Sequence, residues 1–316
     1  MVEGRPAGAD LVAMSREIMG EGSKSFAQAT RLFDPETRAG AYLLYAWCRR
    51  CDDAIDGQEL GHGAEPLSKE EQQVRLERLY LQTRAALAGE PMEDPIFAAF
   101  QAVAQRFAIP PEPAVALIDG FAMDVEGRRY RTLDELLLYC WRVAGVVGVM
   151  MAHVMGVRDR PTLERAGDLG LAFQMTNIAR DVIDDARGGR VYLPLDWLAE
   201  AGVPGDAVAD PAHRQAVFVV AQRLLAGAEP YYDSALAGVA RLPYRSAWAI
   251  ASARGVYREI GRKLLREGPS AWDRRVSVGK AGKLARVAEA GLVALNATTL
   301  GRGRSGPARA GLWNPA

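Results

Sequence analysis

Helix-start punctuation recurs along the whole 316-residue chain, and almost nothing in it alternates with the period of a strand. Asp34-Pro35, Asp94-Pro95 and Asp210-Pro211 each put a capping carboxylate ahead of a proline at the first helical position, where the missing N–H has no partner to lose. Ser68-x-x-Glu71 and Thr132-x-x-Glu135 read as capping boxes. Between such starts lie tracts of helical length, for instance one that places Leu76, Leu79, Tyr80 and Thr83 on a single face. The pattern predicts an all-α fold. Residues 143–157 hold no formal charge and residues 169–175 are similarly apolar, which predicts helices buried nearly all round at the centre of a bundle. The uncharged run is 15 residues long and contains His153, and a membrane-spanning helix needs roughly 20 apolar residues.

No linker rich in Ser, Gly and Pro divides the middle of the chain. Residues 1–300 are therefore expected to form one helical domain, and residues 301–316, with Arg302, Arg304 and Arg309, to form a disordered basic tail. That tail contains Gly301-x-Gly303-x-x-Gly306, a formal dinucleotide fingerprint, but no strand precedes it and too few residues follow to build the βαβ unit. The 39 Lys and Arg balance 39 Asp and Glu, so no basic surplus exists to bind a nucleic acid. Three cysteines and three histidines make neither a disulfide framework nor a zinc cluster. Cys48-x-x-Cys51 falls inside a helical tract, where the thiols read as packing groups. Residues 1–10 carry Glu3 and Asp10 and no apolar run, which predicts a cytoplasmic location.

The chemistry concentrates in two acidic stripes. Asp52 and Asp56 stand one helical turn apart in Asp52-Asp-Ala-Ile-Asp56. Asp181 and Asp185 repeat the spacing in Arg180-Asp181-Val-Ile-Asp-Asp185, with Asn177 one turn earlier on the same stripe. Most such pairs are solvated helix faces. Here, however, each lies among apolar residues: Tyr45, Trp47 and Ile55 in the first helix, Phe173, Met175 and Ile178 in the second. Carboxylates in such surroundings need cations. Hard oxygen donors without histidine or thiolate suit Mg²⁺, with Mn²⁺ as a substitute, and Mg²⁺ typically adds phosphate oxygens and waters to one or two carboxylates. Arg49 and Arg180 beside the two stripes could grip the phosphate oxygens that the metal leaves free. A substrate with a diphosphate head and a hydrocarbon tail fits that mixture of charge and grease.

These residues occur in tracts that resemble the trans-isoprenyl diphosphate synthases of the squalene/phytoene synthase type. The resemblance runs through Gly22-Ser-Lys-Ser-Phe26, through Tyr45-Ala-Trp-Cys-Arg49-Arg-Cys-Asp52-Asp-Ala-Ile-Asp56 and through Tyr139-Cys-Trp-Arg-Val-Ala-Gly-Val-Val-Gly148. It continues in Gln174-Met-Thr-Asn177-Ile-Ala-Arg180-Asp181-Val-Ile-Asp-Asp185 and Gly189-Arg-Val-Tyr-Leu-Pro194. Within that family, Phe121-Ala-Met-Asp124 and Leu169-Gly-Leu-Ala-Phe173 are most similar to bacterial phytoene-forming members. The resemblance implies an isoprenoid-synthase-type helical bundle around a central hydrophobic cavity. It also implies head-to-head condensation of two geranylgeranyl diphosphates to phytoene through a cyclopropyl diphosphate, without a nicotinamide, and peripheral membrane contact where a C40 product would leave.

By matched position, Asp52, Asp56, Asn177, Asp181 and Asp185 would hold Mg²⁺. Tyr45 and Arg49 would join the four aspartates in catalysis. Ser23, Lys24, Ser25, Phe26, Tyr45, Arg49, Gln174, Arg180, Tyr257 and Arg274 would meet the substrate. Packing competes as a reading for Tyr45, Phe26, Val143, Ala144 and Gly148. Arg274 beside Arg275 reads equally as a solvated pair. Gly188-Gly189 reads as a helix stop, or by resemblance as a mobile flap. Two alternatives stay open: an enzyme of the same fold that uses C15 substrates, making dehydrosqualene or squalene, and a non-catalytic scaffold. The scaffold would have no reason to keep two self-repelling acidic stripes.

Overall fold

A computed structural model describes residues 8–57, 67–299 and 309–315, and no strand occurs among them. The first helices are α1 (Gly8–Gly22), α2 (Lys24–Thr30) and α3 (Pro35–Asp56). Asp34 starts α3 by accepting the N–H groups of Glu36 and Thr37 at 3.1 and 3.0 Å, and Gly57 stops it at φ 65°. Then follow α4 (Lys69–Ala88), α5 (Pro95–Arg106), α6 (Pro111–Val125) and α7 (Leu133–Cys140). Both halves of the Ser68/Glu71 capping box are made on α4, and Asp94 caps α5. A π-helical turn, Trp141–Gly145, joins α7 to α8 (Val146–Val154). The remaining α-helices are α9 (Arg160–Arg187), α10 (Leu195–Glu200), α11 (Arg214–Val239), α12 (Tyr244–Glu267) and α13 (Lys280–Thr298). The Asp210-Pro211 signal opens a single 3₁₀ turn that leads into α11.

Helix α9 is the axle of the bundle. Of residues 169–175, expected to be buried nearly all round, all are buried except Phe173 and Gln174, which line the cavity. Helix α9 packs against α8, α11 and α12 and against the π turn. Two glycines make the closest of these contacts. A Cβ on Gly148 would lie 2.3 Å from the Ala166 carbonyl oxygen, and one on Gly170 would lie 2.3 Å from that of Ala144. Their smallness therefore serves backbone contact between α8 and α9 first, although Ala144 and Gly148 also border the cavity. Leu133–Val154 is long and apolar enough to cross a membrane, yet 56% of its most apolar window is buried within the fold, and it serves as core. In α3, Trp47 is fully buried and stacks on Phe100 with ring centroids 3.9 Å apart.

The expectation of a disordered tail fails for its last described part. Residues 309–315 dock on the bundle. Arg309 forms a bidentate pair with Asp168 at 2.8 and 2.7 Å, and the Trp313 N–H donates to the Tyr231 hydroxyl at 3.2 Å. A composition of Gly, Arg and Pro masked an anchor of one cation and one indole, whose partners lie far away in sequence. Residues 300–308 lie outside the described residues.

Candidate active site

A cavity of about 940 Å³ opens between α3 and α9, near the top of the roughly 300–1,000 Å³ range of small-molecule sites. Both acidic stripes face it: Asp52 and Asp56 from α3, and Asn177, Asp181 and Asp185 from α9. The i, i+4 spacing puts each set on one face, and the packing turns both faces inward. Asp52 lines the cavity with its side chain 40% exposed. Burial, the neighbouring Asp56 charge and other acids outweigh Arg49 and push its carboxyl up to about 7. Burial and then Asp181 push Asp185 up to about 7 as well.

Cations are interleaved with the acids. Arg49 Nη1 donates to Asp52 Oδ2 at 3.0 Å, and its Nε lies 3.1 Å from Asp53. Arg180 forms a bidentate pair with Asp181, with Nε to Oδ1 at 2.8 Å. Arg190 donates to Asp56 Oδ1 at 2.5 Å across 134 residues of chain. Gly189, at φ 83°, ends the turn after α9 and sends Arg190 back toward α3, so the double glycine is a helix stop that delivers a site cation. Below this rim the walls are aromatic. Tyr257 stacks on Phe173 at 4.1 Å and on Phe26 at 5.9 Å, and Phe26 also meets Tyr45.

Of the residues matched from sequence, Ser23, Phe26, Tyr45, Arg49, Gln174, Arg180 and Tyr257 line the cavity. Ser23 also caps α2, accepting the Phe26 N–H at 3.3 Å. Tyr45 is thus a wall residue rather than only a packing one, and burial pushes its phenol up to about 12. The side chains of Lys24 and Ser25 lie outside the described residues. Arg274 does not reach the cavity: its side chain is 77% exposed and lies 3.6 Å from Glu267. Its neighbour Arg275 takes the place, 3.8 Å from Asp181. Arg274 has extended φ and ψ, and in extended backbone consecutive side chains point to opposite sides. Sequence similarity chooses Arg274 over Arg275.

Sequence reasoning also missed a fifth acid. Asp124 of α6 lines the cavity and accepts the Tyr139 hydroxyl at 3.0 Å and the Tyr192 hydroxyl at 2.9 Å. Burial pushes it up to about 6 against Arg190 and the two phenols. The signal was one carboxylate in an otherwise apolar helix turn. Its partners come from α7 and from the segment after α9.

The donor set fits a hard divalent cation. The Asn177 side-chain oxygen is buried without a hydrogen-bond partner and belongs to a residue that lines the cavity beside Asp181, an acceptor that lacks a donor or a cation. No three acids, histidines or cysteines among the described residues converge on one point. Any ion would therefore take one or two protein oxygens and complete its shell elsewhere, as Mg²⁺ does with waters and phosphates. All three cysteines are free thiols, and burial pushes Cys48 up to about 12, which disfavours the thiolate that a metal would need.

The squalene/phytoene synthase family model matches residues 19–281. A phytoene synthase of Pseudescherichia vulneris is 52% identical over 303 residues, covering 96% of this chain and 97% of the relative. A 15-cis-phytoene synthase of Pantoea ananas is 52% identical over 298 residues, covering 94% and 95%. Among solved structures, a dehydrosqualene synthase bound to a ligand superposes with a TM-score of 0.79 at 27% identity, over 90% of this chain and 96% of that one. A squalene synthase from Alicyclobacillus acidocaldarius, at 23% identity and a TM-score of 0.69 over 81% and 94%, shares the fold. With two facing acidic stripes over an aromatic cavity and near-complete coverage at this identity, the chain belongs to the squalene/phytoene synthase family.

Proposed function

We propose that this protein condenses two geranylgeranyl diphosphates head to head to phytoene, in the route to carotenoids. The observation that carries the reading is the polarity of the cavity: acids and arginines at one side, aromatic and aliphatic walls beyond. Relatives of about 50% identity that bear the phytoene synthase name support it.

The proposed metal is Mg²⁺ or Mn²⁺, held by Asp52 and Asp56 on one side and by Asn177, Asp181 and Asp185 on the other. When bound, it supplies positive charge to the departing diphosphate. Arg49, Arg180, Arg190 and Arg275 offer guanidinium forks to the diphosphate oxygens. Once the diphosphate leaves, an allylic cation remains, and the faces of Tyr45, Phe26, Phe173 and Tyr257 lie where its positive charge would be stabilised. The aliphatic walls keep water from that cation, so carbon rather than hydroxyl captures it. The cation alkylates the allylic double bond of the second substrate, and loss of a proton there closes the cyclopropane; departure of the second diphosphate, rearrangement of the cyclopropylcarbinyl cation and loss of a second proton then give the central triene.

Incubation with C20 diphosphate and Mg²⁺, with and without NADPH, followed by chromatography of the hydrocarbon, tests the proposal. The expected product is phytoene, unchanged by NADPH. A hydrocarbon two hydrogens heavier with NADPH, or turnover confined to C15 diphosphate, overturns it in favour of the squalene or dehydrosqualene reading. We further propose a cytoplasmic protein that touches the membrane peripherally, tested by flotation with lipid vesicles.

A further inference from the structure

The docked C-terminal residues 309–315 have no part in the diphosphate chemistry, yet they grip the wall that the hydrocarbon would touch. Arg309 is 12% exposed, and its guanidinium is bonded throughout. It donates to both oxygens of Asp168, to Glu164 at 3.2 Å, and to Asn314 Oδ1 and the Trp313 carbonyl at 2.5 and 3.4 Å. Asp168 is fully buried in α9 and also accepts the Ser234 hydroxyl of α11 at 2.5 Å. Ser234 in turn accepts from Arg165 at 3.2 Å, and Arg165 lines the cavity. A hydrogen-bonded chain thus runs from the C-terminus through two helices to the cavity surface.

The second contact is aromatic. Trp313 packs on Trp141 with ring centroids 6.5 Å apart. Trp141 belongs to the π turn and fills the space beside Gly145 and Gly167, where an added Cβ would lie 2.6 and 2.2 Å from the indole. The π turn and α8 meet α9 backbone to backbone at Gly148 and Gly170, and those glycines together with Val143, Ala144, Leu169 and Phe173 wall the cavity. A π turn within a helix marks a place where the regular ladder was given up for geometry, frequently at functional sites.

We propose that residues 309–315 form a strap that clamps the π turn and α9 from outside and so sets the width of the prenyl-tail region, with Arg309 and Trp313 as positioning residues for the hydrocarbon. The inference rests on the prenyl-diphosphate reading. Packed walls transmit small shifts because they contain few voids to absorb them. A loosened wall holds the tail less well and discriminates less between tails of different length.

The experiment measures kcat and KM with C20 and with C15 diphosphates for the wild type and for Trp313→Ala, Arg309→Met and Arg309→Lys, with thermal unfolding in parallel. Trp313→Ala leaves Asp168 paired and keeps the proposal testable if Arg309→Met does not fold. The expected result is a KM for C20 diphosphate raised about tenfold in Trp313→Ala, with kcat within about twofold and the C20-over-C15 preference reduced. Arg309→Lys should lie between the wild type and Arg309→Met. A lower melting temperature with unchanged KM and unchanged tail preference overturns the strap as a positioning element and leaves it a structural tie. A wild type that turns over neither diphosphate refutes the prenyl-diphosphate reading instead, so the two failures are distinct.

Discussion

Helix α9 surrounds two of its aspartates, Asp168 and Asp185, in opposite ways. Asp168 has no exposed surface and meets a bidentate guanidinium and a hydroxyl. Asp185 faces the cavity and sits among Asp181, Asp184 and Asp124, and the charges of Arg190 and Arg180 do not offset its burial and those acids, so it is pushed up to about 7. A buried carboxylate with its cation supplied by the chain is architecture. One whose cation the chain leaves out is a site for something that arrives from solution.

The largest expected effect comes at the aspartates that face the cavity from both helices. Chelator should abolish turnover, and Asp52→Asn or Asp181→Asn should each lower it by roughly a thousandfold or more while the circular dichroism spectrum stays helical. Full turnover in chelator, with metal content checked by mass spectrometry, would remove the metal assignment. Next in size is the first kind. Asp168→Asn should cost about 3–5 kcal/mol of unfolding free energy, because it strands part of a buried guanidinium. A denaturant midpoint equal to the wild type would show that Glu164 and Asn314 suffice for Arg309.

Asp185→Asn should sharpen the contrast by moving stability the other way. A carboxyl whose folded pKa is raised from the ordinary value near 3.8 to about 7 stabilises the fold at pH below the unfolded pKa. That contribution is lost as pH rises through about 7. In metal-free protein the asparagine variant should therefore melt a few degrees above wild type at pH 8 and gain nothing at pH 4. A gain that does not depend on pH would mean that the carboxylate is not what strains the empty cradle. The smallest effect is expected at the thiols. Cys48→Ala with Cys51→Ala should cost about 1–2 kcal/mol of stability and leave metal content and activity unchanged. Zinc in the purified wild type, or a rate that responds to reductant, would contradict this.

What was legible in the chain follows the reach of the interactions. Asp34, Ser68 and Asp94 bond to N–H groups two or three residues ahead, so their motifs predict helix starts from local chemistry alone. The two acidic stripes were legible for the same reason, since the helical repeat fixes which residues share a face. The family resemblance added Tyr45, Gln174 and Tyr257, which composition could not single out. It stumbled at Arg274, where the match is short and the backbone direction at an extended residue chooses between neighbours.

The sequence by itself determined an all-α chain with two acidic helix stripes, because capping and the 3.6-residue period act within one or two turns. Tertiary structure alone decided that Arg190 reaches Asp56, that Tyr139 and Tyr192 converge on Asp124, and that Arg309 neutralises Asp168 from 141 residues away. Those pairings depend on how whole helices pack, and many residues jointly set the crossing of α3, α6 and α9. A buried charge reveals its role only when the packing shows whether a partner has been brought to it.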